Sequence, residues 1–92
     1  PWCLQYQDAN GKLQFEISHK TLIGRGEYCD LVLPLPDISR KHVILAPQPD
    51  GSLLVKDLGS TNGTLINGQA VKEGVLRMGD ALQLGAYAFV ML

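Results

Sequence analysis

Three short stretches of this sequence hold side chains whose chemistry exceeds what a turn requires. In "IGRGEYCD" (23–30), Gly24 and Gly26 bracket Arg25. A backbone with little steric restriction there carries a planar, permanently charged guanidinium at the end of an apolar run. In "LPDISRKHV" (35–43), Ser39, Arg40 and Lys41 put a hydroxyl and two cations within three residues, directly after a proline-stiffened segment. In "GSTNGTLING" (59–68), three glycines, two asparagines, two threonines and a serine surround only Leu65 and Ile66. Of the eight Lys and Arg residues in the chain, Arg25, Arg40 and Lys41 fall in these loops.

Each stretch has a plain explanation: a solvated arginine on a glycine turn, a charged loop, a hairpin turn. Together they have a chemistry. One fixed guanidinium, several short hydroxyl and amide donors and a cationic rim suit a phosphate ester, which offers three acceptor oxygens and nearly two negative charges at neutral pH. The Gly24–Gly26 pair is not a Walker loop, because no Lys-Ser/Thr ending and no helical pattern follow it.

The elements that must position these loops read as strands. Asn10-Gly11, Asp50-Gly51, Asn62-Gly63 and Asn67-Gly68 are Asx-Gly pairs suited to the positive φ angles of tight turns, with Asn67-Gly68 expected to form a type I′ turn. Between them lie "WCLQY", "KLQFEIS", "TLIG", "LVL", "HVILA", "SLLVKD", "TLI", "ALQL" and "AFVML". Leu13, Phe15 and Ile17 alternate with Gln14 and Glu16 at period two, and no window keeps a helical period for ten residues. Pro34, Pro36, Pro47 and Pro49 stand at run edges. The expectation is an all-β fold of short antiparallel strands, a sandwich or a partly closed barrel, with function in the loops at one pole. At the start of "HVILA", His42 is expected to donate from its ring to a backbone carbonyl and pin its loop.

At 92 residues the chain is expected to be one domain (1–92), and its start at Pro1 suggests a part cut from a longer protein. Apolar residues make up 46% and charged residues 18%, with net charge −1, which argues against broad phosphate neutralisation on nucleic acid. Aromatics placed for base stacking are also scarce. No apolar run approaches the length of a membrane helix. Cys3 and Cys29 fit neither a metal pattern nor a disulfide framework, and are expected to be free, buried thiols in a reducing compartment. His19 and His42 lack the company a metal site needs, so no metal and no cofactor are expected.

The spaced motifs resemble those of the forkhead-associated (FHA) domain family. "IGR" at 23–25, "SRKH" at 39–42, "GSTNGT" at 59–64 and "NG" at 67–68 occur in that family's order. "CDLVL", Asp57 and "GDALQLG" also sit where its pattern places them, so the resemblance runs from about Thr21 to Leu92. It implies an antiparallel β-sandwich of about eleven strands that binds phosphothreonine in a flexible segment of a partner protein. By the same resemblance Arg25 and Ser39 contact the phosphate, Arg40 adds contacts to phosphate or peptide, Thr61 reaches the phosphate, and Asn62 holds the peptide main chain. Gly24, His42, Gly63 and Asn67 match loop-bracing positions. The implied setting is the cytoplasm or another intracellular compartment, in a Ser/Thr kinase pathway, with the isolated domain monomeric. Asp37, two residues before Ser39, is expected to disfavour an acidic residue shortly after the phosphothreonine and to tolerate a basic or apolar one.

Other classes carry less. Ser39, His42 and Asp57 or Asp37 can be drawn as a hydrolytic triad, but there is no GxSxG elbow and the chain leaves little room for a substrate cleft, so no enzyme is expected. A phosphate-independent interaction or oligomerisation module on the same fold is the alternative.

Overall fold

The computed structural model describes residues 2–8 and 11–92, and Asn10 of the first Asx-Gly pair lies outside them. Eleven strands follow one another: β1 (Trp2–Asp8), β2 (Gly11–Ile17), β3 (Thr21–Gly24), β4 (Leu31–Val32), β5 (Val43–Pro47), β6 (Leu53–Asp57), β7 (Thr64–Ile66), β8 (Gln69–Ala70), β9 (Glu73–Leu76), β10 (Ala81–Leu84) and β11 (Tyr87–Met91). They form a six-stranded sheet in the order β2-β1-β11-β10-β7-β8 and a five-stranded sheet in the order β4-β3-β5-β6-β9. The result is an all-β sandwich.

Alternation drives the packing. In the five-stranded sheet Thr21 and Ile23, Val43 and Leu45, Leu53 and Val55, and Leu76 all point inward, each 6% exposed or less. The residues between them, such as Leu22, Ile44 and Leu54, face out. The opposing sheet contributes Leu4, Ile17, Leu82, Leu84, Phe89 and Met91 to the same core. Tyr6 and Phe15 lean on Phe89, with ring centroids 5.3 and 6.5 Å away. Burying each such aliphatic side chain contributes roughly 1.5–3 kcal/mol, so this core holds the two sheets face to face.

Several sequence expectations need correction. The five-stranded sheet is mixed, because β4 pairs parallel to β3 through Ile23↔Leu31 and Gly24↔Val32. Strand β4 is only two residues long. Along β2 the alternation fades outward: Ile17 is buried, Phe15 half-buried, and Leu13 is 53% exposed. This strand is an edge of its sheet. Strands β8 and β9 were not among the expected runs. Both residues of β8 are exposed, and β9 has Val75 and Leu76 side by side with only Leu76 fully buried, so neither shows a period-two apolar pattern. His42 precedes β5 rather than starting it.

The Asx-Gly pairs also divide. Asn67 and Gly68 have φ of 51° and 82° and join β7 to β8, as a two-residue type I′ turn requires. At Asp50-Gly51 and Asn62-Gly63 only the glycines take positive φ. The loop holding Asn62-Gly63 is no hairpin, since it carries the chain from one sheet to the other.

Candidate functional site

Strand β3 ends at Gly24, where a Cβ would collide with the carbonyl of Arg40 and sit 3.0 Å from Cys29 Sγ. Only glycine lets the Ser39–Lys41 segment pass this closely. That proximity sets up a short ladder. The Arg25 N–H donates to Ser39 O (2.9 Å), the Gly26 N–H to Arg40 O (3.1 Å), and the Cys29 thiol to the same carbonyl (3.1 Å). Arg25 also donates from Nε to Ile38 O at 3.0 Å. One edge of the guanidinium is thus fixed to backbone, while its two terminal nitrogens have no protein partner among the described residues. An exposed fork held this way presents paired donors to an oxyanion.

His42 is fully buried. Its Nδ1 accepts from the Ser39 N–H at 3.1 Å, and its Nε2 lies 2.9 Å from Gly63 O. Because Nδ1 is an acceptor, the neutral ring carries its proton on Nε2 and donates it to Gly63. One side chain therefore ties the Ser39 loop to the Gly63 loop. The His42 main chain adds bonds from its N–H to Ile23 O and from the Leu58 N–H to its own carbonyl.

The β6–β7 loop is built around Asp57. Its Oδ1 accepts the Ser60 N–H at 2.8 Å and its Oδ2 accepts the Ser60 hydroxyl at 3.0 Å. Ser60 Oγ in turn accepts the Gly63 N–H at 3.1 Å. This closed set turns Thr61 and Asn62 outward, and both are exposed. The Thr61 N–H then donates to Ser39 Oγ (3.0 Å), and Asn62 Nδ2 to Asp37 O (3.0 Å). Ser39 keeps its own hydroxyl proton free to donate, and Asn62 keeps its Oδ1 free to accept.

Arg25, Ser39, Thr61 and Asn62 are thus brought to one pole by loops that bond directly to each other. Arg40 lies on the same pole with its side chain exposed. Gly24, His42 and Gly63 stand beneath them. Asn67 does not join this group. It braces the β7–β8 hairpin against the start of β10, donating from Nδ2 to Asp80 Oδ1 (3.1 Å) and accepting the Ala81 N–H at Oδ1 (3.0 Å).

Three residues escaped the sequence reading. Ile38 is 1% exposed and plugs the core between exposed Asp37 and half-buried Ser39, which fixes the height of the Ser39 loop. It is the one apolar residue in a polar run, a signal visible in retrospect. Gly85 has φ +61°, and a Cβ there would lie 2.5 Å from Asp37 O. No local pattern announces that approach. Tyr28 is 59% exposed, and its ring lies against Gly26.

Two clefts open among these loops. One, of about 400 Å³, is lined by Arg25, Gly26, Glu27, Tyr28 and Arg40. The other, of about 360 Å³, lies between the Ser60–Thr64 stretch and Ala70–Lys72. The hydrolytic triad finds no geometry here. His42 meets the Ser39 backbone rather than its hydroxyl, both ring nitrogens are occupied, and the Asp57 carboxylate is taken by Ser60. Among the described residues no group of three or more His, Cys, Asp or Glu side chains could hold a metal ion. The same residues contain no helix long and apolar enough to cross a membrane.

The FHA domain family matches residues 21–85. The FHA domain-containing protein FhaA of Mycobacterium tuberculosis is 37% identical over 83 residues, covering 89% of this chain; the match spans 15% of that relative's length. The crystal structure of the FhaA FHA domain complexed with the intracellular domain of Rv3910 superposes with TM-score 0.89 at 31% identity, covering all of both chains. The yeast Dun1 FHA domain, solved with a doubly phosphorylated (pT) peptide, matches with TM-score 0.80 at 30% identity over 98% of this chain and 72% of that one. With the family model spanning most of the chain and the sandwich superposing on a solved FHA domain, the chain belongs to the FHA domain family.

Proposed function

We propose that this domain is a phosphothreonine-dependent protein–protein interaction module, without enzymatic activity, that works inside the cell. The observation that carries the reading is the bond from the Thr61 N–H to Ser39 Oγ. It locks two loops, one from each side of the β5–β6 pair, into a single donor surface beside the Arg25 fork. In this reading Arg25 and Ser39 take the phosphate, helped by Thr61, and Arg40 adds charge from the rim. The Asn62 amide holds the peptide main chain. The Dun1 and FhaA complexes, with a phosphothreonine peptide and with a partner's intracellular domain, support it.

Hydrogen bonds to charged groups net about 1.5–3 kcal/mol each, so three or four supply roughly 5–12 kcal/mol. Ordering a flexible peptide costs about 2–5 kcal/mol. The balance corresponds to a dissociation constant near micromolar, a reversible contact.

Calorimetric titration with phosphothreonine, phosphoserine and unphosphorylated peptide pools tests this directly. Binding confined to the phosphothreonine pool, and weakened about 100-fold or more in a folded Arg25→Ala protein, is the expected result. Equal binding of all three pools would refute it. Asp37 is exposed, and its carbonyl is bonded to Asn62. A carboxylate shortly after the phosphothreonine is therefore expected to weaken binding, and Asp37→Asn to relieve that penalty.

A second reading has one observation behind it. The outer face of the five-stranded sheet holds an apolar groove of about 280 Å³ lined by Ile44, Ala46 and Leu54 between Lys20, Lys56 and Glu73. A phosphate-independent contact would use that face, and would survive phosphatase treatment of the partner.

A further inference from the structure

The two sides of the binding pole differ in charge. On one side stand Asn62 and Asp37, whose carboxylate is exposed. On the other side lies the cleft formed by Arg25, Gly26, Glu27, Tyr28 and Arg40. Lys41 borders it, with Nζ 5.5 Å from the centroid of the Tyr28 ring. Arg40 and Lys41 are exposed and make no ion pair, since the salt bridge found among the described residues joins Arg77 to Asp50. Glu27 is the one carboxylate lining this cleft and leaves its cations in excess.

The cleft is also constructed rather than incidental. Tyr28 rests against Gly26, where a Cβ would come within 2.5 Å of the ring. The Gly26 N–H and the Cys29 thiol both hold the Arg40 carbonyl, at 3.1 Å each. The Arg40 backbone is therefore held in place, and the Tyr28 ring packs on Gly26 in the same lining. Lys41 is drawn over the ring face, which attracts a cation but neutralises none of its charge. Arg25 lines this cleft too, so the cleft begins where the phosphothreonine phosphate would sit.

We propose that the Tyr28–Arg40–Lys41 cleft is a second anion subsite, taking another negatively charged side chain of the same phosphorylated segment. This rests on the phosphothreonine reading above and deepens it. The group is a carboxylate or a second phosphate, a few residues from the phosphothreonine on the side away from Asp37. An extended chain advances about 3.3 Å per residue, so neighbouring residues can reach both places at once. The opposed charges of the two flanks then set the direction in which the segment lies, because reversal would place its second anion beside Asp37.

The test uses the 92-residue chain and phosphothreonine peptides with otherwise uncharged flanks. Glutamate or phosphoserine is placed singly at each neighbouring position on both sides, and affinities are read by calorimetry. One position, or two adjacent ones on a single side, is expected to tighten binding by about threefold to tenfold, less at high salt. That gain should vanish in Lys41→Gln and in Tyr28→Ala, while the peptide bearing only phosphothreonine keeps its affinity within about twofold. A larger gain with phosphoserine than with glutamate identifies a second phosphate as the ligand, and equal gains identify simple negative charge. Tyr28→Phe keeps the ring and should keep the gain, which separates loss of the wall from misfolding. No gain at any position, or a gain surviving both Lys41→Gln and Tyr28→Ala, would overturn the subsite and leave the phosphothreonine reading standing. Failure of the peptide bearing only phosphothreonine to bind would instead remove both.

Discussion

The β6–β7 loop and the β3–β4 loop meet at the same pole but are built on opposite plans. In the β6–β7 loop the side chains serve the backbone: Asp57 holds Ser60, Ser60 holds Gly63, and His42 reaches in from below to hold Gly63 as well. What this loop offers outward is main-chain direction and short donors. In the β3–β4 loop the backbone serves the side chains. Its amides are tied to Ser39 and Arg40, while Arg25, Glu27 and Tyr28 extend into solvent. Geometry comes from one loop and charge from the other. A reader of a phosphorylated segment needs both, because a tetrahedral anion requires placed donors and a charge strong enough to offset its desolvation.

The sharpest way to break the contrast is His42→Ala. It removes the ring bonds to Ser39 and Gly63 and opens a cavity in the core, so unfolding free energy should fall by about 3–4 kcal/mol in urea titrations. The Ser39 loop between β4 and β5 and the β6–β7 loop should loosen together, seen as faster amide exchange at Ser39 and in the Gly63 loop. Gly24→Ala attacks only the close approach of the Ser39–Lys41 segment to β3. The collision with the Arg40 carbonyl is expected to cost roughly 2 kcal/mol in thermal or urea unfolding, with exchange rising at Arg25 and Gly26 but not at Ser60. Asp57→Ala does the reverse: it frees Ser60 and should lower stability by about 1–2 kcal/mol, with peptide affinity reduced and Arg25-side exchange unchanged.

The smallest effect lies away from the pole. The Arg77 N–H and the Asn67 amide together hold the Asp80 carboxyl below its usual range, with the Arg77 charge adding to it. A lowered folded-state pKa contributes stability that is complete above the ordinary carboxylate value and is lost as pH falls through the lowered one. Asp80→Asn should therefore reduce the melting temperature slightly at neutral pH, and the difference from the parent should disappear in strong acid. A difference that persisted there would mean that Asp80 acts by shape rather than charge.

Much of this molecule was legible before folding. The short apolar runs of β3, β5 and β6 were legible as strands, but not which of their residues face inward, since outward Leu22, Ile44 and Leu54 are as apolar as their buried neighbours. Asn67-Gly68 specified its own turn, since a two-residue hairpin needs positive φ at both positions and few residues accept it. The donor and cation types in the loops of Arg25, Ser39 and the Thr61–Asn62 pair suggested phosphate chemistry, and the individual roles came only from the resemblance to the FHA family. The parallel β4, the edge strands β8 and β9, and the roles of Ile38, Tyr28 and Gly85 were not legible. Each depends on which distant backbone passes nearby, as Asp37 O does at Gly85. The same holds for His42: its residue type announced a brace, but its two partners stand 3 and 21 residues away in sequence. Local preference is carried by a residue and its immediate neighbours and so can be read from sequence. A contact between loops has no energy until the core has brought them together, and only the tertiary structure could decide it.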